Sequence, residues 1–188
     1  MNHRGIPALF LDRDGVINEE IGYLSRSEQV RWVPGIFSLV RTAQARGYRV
    51  VVVTNQAGIA RGLYTTEEFE TLMDWMRERF LAEGCALDAV YHCPFHPIHG
   101  LGSWKQDHVD RKPSPGMLLR AAKNLGLDLA QSVLVGDRCS DIAAARAAGL
   151  RQAFLKRGTE PASCPDDAIL IDTLAEVQAW LESQPEPR

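Results

Sequence analysis

Short, unbroken apolar runs alternate along this chain with longer stretches in which apolar residues recur every three or four positions. Residues 8–11 are apolar up to Asp12, and 50–53 are four consecutive valines ending at Thr54. A weaker run covers 89–91. Another covers 132–135 and stops at Gly136 and Asp137, and two late runs cover 152–155 and 168–171. Runs without polar alternation suit strands buried on both faces, as in a parallel sheet. Between them lie helical patterns. Pro34 and Gly35 open one that runs to about Arg46, before Gly47. Thr66 is placed to cap a second, with Phe69, Leu72, Met73, Met76 and Phe80 on one face, a stripe most simply read as core packing. Ser114 and Pro115 start a third, with Leu118, Leu119, Ala122 and Leu125 inward and Gly126 as the stop. An alanine-rich segment at 140–148 closes at Gly149, and 173–180 is the last helix. Strand, helix, strand in series predicts an α/β fold: a three-layer sandwich on a mostly parallel, Rossmann-like sheet with right-handed crossovers.

Two stretches interrupt the rhythm, 13–33 and 93–113. Both are long for loops in a compact domain, and such loops are often functional. Both are too short to hold a cap domain, so one domain over 1–182 with a frayed tail at 183–188 is expected. The length of 188 residues and the ordinary mix of 45% hydrophobic and 24% charged residues fit that reading. With 21 basic and 24 acidic residues the net charge is -3, which argues against a nucleic-acid binder. No apolar run is long enough to span a bilayer, and the first residues do not resemble a signal peptide. Cys85, Cys93, Cys139 and Cys164 show no paired spacing. A disulfide framework is therefore not expected, and a monomer in a reducing cytoplasm is.

The chemistry concentrates where strands end. Asp12 and Asp14 stand two apart just after the first buried run, followed by Gly15. In an open α/β sheet, ligands bind at that end of the strands. Two close carboxylates repel unless a cation or a shared proton intervenes. The pair suits one aspartate as nucleophile and one as general acid, with a divalent cation between them. The spacing alone fits a surface turn equally well. Thr54, Asn55 and Gln56 follow the second run, where a hydroxyl, an amide and backbone N–H groups can hold phosphoryl oxygens, or simply form a polar turn. Arg111 and Lys112 precede a helix and can neutralise phosphate or face solvent. Asp137 ends the fourth run at the same sheet edge as Asp12, and oxygen ligands from two strands suit Mg²⁺. Asp141 reads as a helix cap or as a residue that orients a neighbour.

Taken together, these motifs resemble the haloacid dehalogenase (HAD) superfamily of phosphatases. The stretches FLDRDGVIN, VVVTNQAGIARG, RKPSPGM and GDRCSDIAAA closely resemble the family of D-glycero-D-manno-heptose-1,7-bisphosphate 7-phosphatases, over about residues 6–160. The resemblance implies a Mg²⁺-dependent phosphatase that removes the C7 phosphate of a heptose bisphosphate through an aspartyl phosphate. It makes Asp12 the nucleophile and Asp14 the general acid and base. Thr54 would bind the transferring phosphoryl group and Lys112 would stabilise its charge. Asp12, Asp14 through its carbonyl, and Asp137 would hold the metal. It places Glu20, Ile21, Gly22 and Tyr23 beside the sugar and Arg111 on the phosphate that stays. Asn55, Gln56 and Arg138 complete the expected substrate contacts, and Arg61 is a further candidate for an anion. The partner is a small phosphorylated sugar, with no nucleic acid or membrane involved.

The same resemblance raises zinc at 93–113. Many members hold a structural Zn²⁺ there with a Cys-x-His pair and a later Cys-x-Cys. Here Cys93 is kept, but Phe95 stands at the histidine position, and His108 and Asp110 stand where the later cysteines would be. His96 and His99 are possible substitutes. Fewer thiolates mean weaker zinc binding, so a metal-free loop packed on Phe95 or Trp104 is favoured. Three rivals to the main reading remain: a histidinol-phosphate phosphatase, a phospho-acceptor receiver, and a phosphatase-like fold kept only for binding.

Overall fold

The computed structural model describes residues 5–158, 164 and 168–185. Six strands form one sheet: β1 (Ala8–Leu11), β2 (Arg49–Asn55), β3 (Ala89–Cys93), β4 (Val133–Gly136), β5 (Gln152–Lys156) and β6 (Ile169–Ile171). Their order is β3-β2-β1-β4-β5-β6, and every neighbouring pair is parallel. Six helices connect or follow them: α1 (Ile36–Ala45), α2 (Ala57–Ala60), α3 (Thr66–Ala82), α4 (Gly116–Leu125), α5 (Cys139–Ala148) and α6 (Leu174–Ser183).

Alternate residues of the strands serve two cores. Leu9, Leu11, Val50, Val52, Val133 and Val135 pack with α1, α3 and α6. Ala8, Phe10, Val51, Val53 and Leu134 pack with α4 and α5 on the other face. This is why the strand runs are apolar at every position and why three layers form. The stripe Phe69, Leu72, Met73, Met76 and Phe80 is buried, as its spacing predicts.

Several details differ from the expectations. Thr65, not Thr66, caps α3: its hydroxyl accepts from Glu68 N–H while Glu68 reaches back to Thr65 N–H. The reciprocal capping box decides the boundary. The inward face of α4 is Met117, Leu118 and Ala121, and Leu119 is exposed. β3 runs on to Cys93, because Asn55 pairs with it at the end of β2. α2 has no apolar period long enough to be read from sequence. The expected tail starts at 183, the last residue of α6. Ser183 closes α6, and Gln184 accepts from Arg151 at 2.7 Å. Residues 186–188 of that tail lie outside the described residues.

The absence of disulfides is also corrected. Cys139, at the start of α5, is bonded to Cys164, 25 residues later, with 5.1 Å between their Cα atoms. β4 and β5 are neighbours, so the segments that follow them meet at one sheet edge, a proximity that spacing along the chain does not encode. Cys85 and Cys93 are free and buried.

Candidate active site

The strand order reverses between β1 and β4, the point at which an open α/β sheet leaves a crevice beyond its carboxyl ends. A cavity of about 600 Å³ lies there. It brings together Asp12 and Asp14 with Glu20, Gly22, Tyr23, Thr54, Asn55, Gln56, Arg111, Lys112 and Arg138, along with Arg61, Tyr64, His96 and Asp141. Ile21 is not among the residues lining it. Its side chain is 45% exposed.

Asp12 continues the β1 ladder, its N–H donating to Val135 O at 3.0 Å. Lys112 Nζ lies 3.0 Å from its Oδ1 and 2.5 Å from Asp141 Oδ1, and donates to Val53 O at 2.8 Å. Burial is the main reason that the Asp12 carboxyl rises to about 7. Lys112 opposes the rise, and Asp141, Asp137 and Asp14 add to it. Burial alone would favour a neutral Lys112, but Asp12 and Asp141 outweigh it and hold the amine above the ordinary lysine range. Asp12, Asp137 and Asp141 each place an oxygen within 4.8 Å of the others, and all three are buried. Lys112 pairs with Asp12 and Asp141, and three hard oxygen donors so close together fit a divalent cation such as Mg²⁺. The carbonyl of Asp14 remains the further ligand proposed from sequence.

Asp141 was read as a cap or an orienting residue and does both. Its Oδ2 accepts from Arg138 N–H at 3.1 Å, which closes the start of α5, and its other oxygen meets Lys112. Two glycines make room for these acids. A Cβ on Gly15, whose φ is +83°, would sit 2.2 Å from Asp137 Oδ2, and one on Gly136 would sit 2.3 Å from Asp141 Cβ.

Asp14 is held by a residue that the sequence reading passed over. Arg13 is fully buried and grips Asp14 with Nε at 3.1 Å from Oδ1 and one terminal nitrogen at 2.9 and 2.8 Å from the two oxygens. Its guanidinium lies over the Phe69 ring at 5.5 Å. Asn18 Nδ2 adds a bond to Asp14 Oδ1 at 3.0 Å and Gln56 Nε2 one to Oδ2 at 3.2 Å. The signal in sequence is only a cation flanked by two acids.

Asn55 and Gln56, expected to touch substrate, direct their polar side-chain atoms to the protein. Asn55 exchanges two hydrogen bonds with the backbone of Lys112, at 3.0 and 3.1 Å, and so fixes the lysine. The backbone N–H of Gln56 donates to Cys93 O. Glu20 binds Arg138 at 3.1 Å, and Arg61 stacks over Tyr23 at 5.7 Å. Arg111 donates to Phe95 O. Burial lowers its pKa, and Arg61 and Arg138 push the same way, as in a site where cations gather for an anion.

Among the zinc candidates His96 lies beside His99 and His108 beside Asp110, with ring centres 4.8 Å apart in the first pair and Nδ1 3.9 Å from Oδ2 in the second. Among the described residues, Asp12, Asp137 and Asp141 form the one group of three or more metal-ligating side chains. His96 Nδ1 accepts from the N–H groups of Ile98 and His99, His108 Nδ1 accepts from Asp110 N–H, and Asp110 pairs with Arg120 at 2.9 Å. Phe95 packs on Trp104 and His108, with ring centres 5.5 and 4.6 Å apart.

A parallel sheet of this order, with paired aspartates after β1, a lysine before α4 and acids after β4, defines a HAD-type phosphoric monoester hydrolase. A HAD-hydrolase-like family model matches residues 109–177. D-glycero-alpha-D-manno-heptose-1,7-bisphosphate 7-phosphatase of Burkholderia mallei is 48% identical over 168 residues, 89% of this chain and 85% of that protein. The beta-anomer enzyme of Vibrio cholerae is 41% identical over 93% of this chain and 96% of its own. The crystal structure of D,D-heptose 1,7-bisphosphate phosphatase from B. bronchiseptica, complexed with magnesium and phosphate, is 29% identical with a TM-score of 0.82, covering 96% of this chain and all of that one. The chain belongs to the heptose-1,7-bisphosphate 7-phosphatase family.

Proposed function

We propose that the enzyme removes the C7 phosphate of a D-glycero-D-manno-heptose 1,7-bisphosphate. The observation that carries this reading is one cavity holding both a nucleophile set, Asp12, Asp14 and Lys112, and a second group of cations, Arg61, Arg111 and Arg138. A bisphosphate needs both. Asp12 attacks phosphorus, and the bond from phosphorus to the sugar oxygen breaks as Asp14 gives that oxygen a proton. Asp14 then takes a proton from the water that attacks the aspartyl phosphate. Thr54 and Lys112 bind the equatorial oxygens. Asp12, Asp137 and the Asp14 carbonyl would hold Mg²⁺, which when bound offsets the charge of the transferring group. Arg111 holds the phosphate that is retained, and Glu20, Gly22, Tyr23 and Arg138 border the sugar.

The relatives are named for both anomers, so alpha and beta bisphosphates belong side by side in the assay. The deciding experiment compares kcat/KM for these two with histidinol phosphate. A bisphosphate is expected to be preferred, and a preference for histidinol phosphate would move the enzyme to that activity. The receiver reading is weaker still: receiver-type sheets run 2-1-3-4-5, whereas this sheet runs β3-β2-β1-β4-β5-β6.

The enzyme acts in the cytoplasm, because a sugar bisphosphate with two ionised phosphates does not cross a bilayer and must be met where it is made. No helix among the described residues is long and apolar enough to cross a membrane. The Cys139–Cys164 bond is the feature that points the other way. Counting alkylated thiols in protein quenched inside the cell decides it: four are expected in a reducing compartment and two in an oxidising one.

A further inference from the structure

We infer that Tyr64 is a positioning residue for the general acid: its hydroxyl fixes the orientation of the Gln56 amide, and that amide holds Asp14. The inference rests on the reading of Asp14 as the acid.

Gln56 is 1% exposed and Tyr64 6% exposed. The Tyr64 hydroxyl donates to Gln56 Oε1. Gln56 Nε2 then uses its two protons in two directions, to Thr54 Oγ1 at 2.8 Å and to Asp14 Oδ2 at 3.2 Å. A side-chain amide has ends of nearly the same shape, so only its partners determine which way it faces. An ionised carboxylate only accepts, so Asp14 takes the nitrogen, and the Thr54 hydroxyl accepts from that same nitrogen. The buried Tyr64 hydroxyl anchors the oxygen end of the amide and so holds its nitrogen against Thr54 and Asp14. In the orientation present all three partners are satisfied, the nitrogen donating to Thr54 and Asp14 and the oxygen accepting from Tyr64.

The order of donors continues toward the substrate. Thr54 accepts from Gln56 and donates to no residue among those described, so its own proton is left for an oxygen in the cavity. One tyrosine therefore braces the amide that serves both the acid and the phosphoryl site.

The chain makes room for this tyrosine. A Cβ at Gly58 would lie 2.2 Å from Tyr64 Cε1 and 2.8 Å from its hydroxyl oxygen. The ring lies directly against the backbone of α2, an approach open only to glycine. Gly58 and Tyr64 thus act together, and both follow Gln56 closely in sequence.

The test uses Asp14→Asn, Tyr64→Phe and Gln56→Met on two substrates. One is a sugar phosphate, whose alkoxide must be protonated as it leaves. The other is p-nitrophenyl phosphate, whose phenolate leaves without that help. Loss through Thr54 falls on both substrates alike, and loss through Asp14 falls on the sugar phosphate. Tyr64→Phe is expected to lower kcat/KM on the sugar phosphate by about tenfold more than on the nitrophenyl ester. Gln56→Met should show the same selectivity, and it carries the test if Tyr64→Phe does not fold. A role confined to packing lowers both substrates equally. Equal losses, or none, in both variants while Asp14→Asn is selective would overturn the role of Tyr64 alone. A non-selective Asp14→Asn would overturn the acid itself, and the role of Tyr64 with it.

Discussion

A carboxylate that attacks phosphorus must be dry enough to react and yet ionised. Burial and three neighbouring acids push Asp12 toward its neutral form, and Lys112 pulls it back. Asp12→Asn keeps the shape but cannot form an acyl phosphate. Turnover on a sugar bisphosphate should fall by about 10⁴-fold or more, while the circular dichroism spectrum stays that of the folded enzyme. Wild-type kcat in this variant would exclude the nucleophile assignment. Gly15 makes a second residue-level case. Its φ of +83° and the 2.2 Å approach of a Cβ to Asp137 Oδ2 act together, so Gly15→Ala should cost about 1–3 kcal/mol in urea unfolding and weaken Mg²⁺ binding as well. Unchanged stability would show that the turn relaxes. Asp12 and Asp137 were legible by position because each follows an unbroken apolar run, whereas Asp14 and Lys112 were singled out by the motifs shared with the resembled family. Arg13 and Tyr64 were not. What they do depends on partners that only the tertiary structure supplies: Asp14 for one, and for the other the amide of Gln56.

At the scale of elements, the loop after β3 matters because it delivers Arg111 and Lys112. Asp110, 6% exposed, joins it to α4 through Arg120, and Arg111 ties back to the carbonyl of Phe95, whose ring packs tilted against Trp104 and His108. Such a loop is already closed by hydrogen bonds and rings, with its histidine nitrogens partly engaged by backbone N–H groups. Protein purified without chelator or polyhistidine tag should therefore carry far less than one zinc per chain by elemental analysis. Near-stoichiometric zinc would mean that the loop rearranges around a metal. Asp110→Ala, by contrast, should cost roughly 1–2 kcal/mol, since Arg120 is half exposed and retains water. Helix phase was the weakest part of the sequence reading here. Leu118 and Leu119 are equally apolar, and only the angle at which α4 meets β3 decides that Leu119 faces out. The capping box at Thr65 illustrates the same limit at a boundary, where adjacent threonines offered two starts and Glu68 selected one.

At the scale of the whole molecule, sheet order does what no single motif can. It brings the ends of β1 and β4 side by side, so that Asp12 and Asp137 meet Asp141 from α5 although they lie far apart in sequence. The parallel strands were legible as unbroken apolar runs, but their order was not, because each run is equally suited to any central position. The assembled acids lead to the prediction that depends on every part of the fold. Three buried carboxylates with one lysine among them repel one another, and a divalent cation should relieve that repulsion in the folded state alone. Mg²⁺ should therefore raise the unfolding temperature in a concentration-dependent way, by mass action on the native state. Chelation with EDTA should abolish phosphatase activity and Mg²⁺ should restore it. Ca²⁺, larger and looser in its coordination, should bind and raise the unfolding temperature without restoring turnover. Asp137→Asn should blunt the thermal shift by Mg²⁺, a readout independent of catalysis. Full activity after exhaustive chelation, together with an unfolding temperature indifferent to Mg²⁺, would show that the protein's own cations balance the acids.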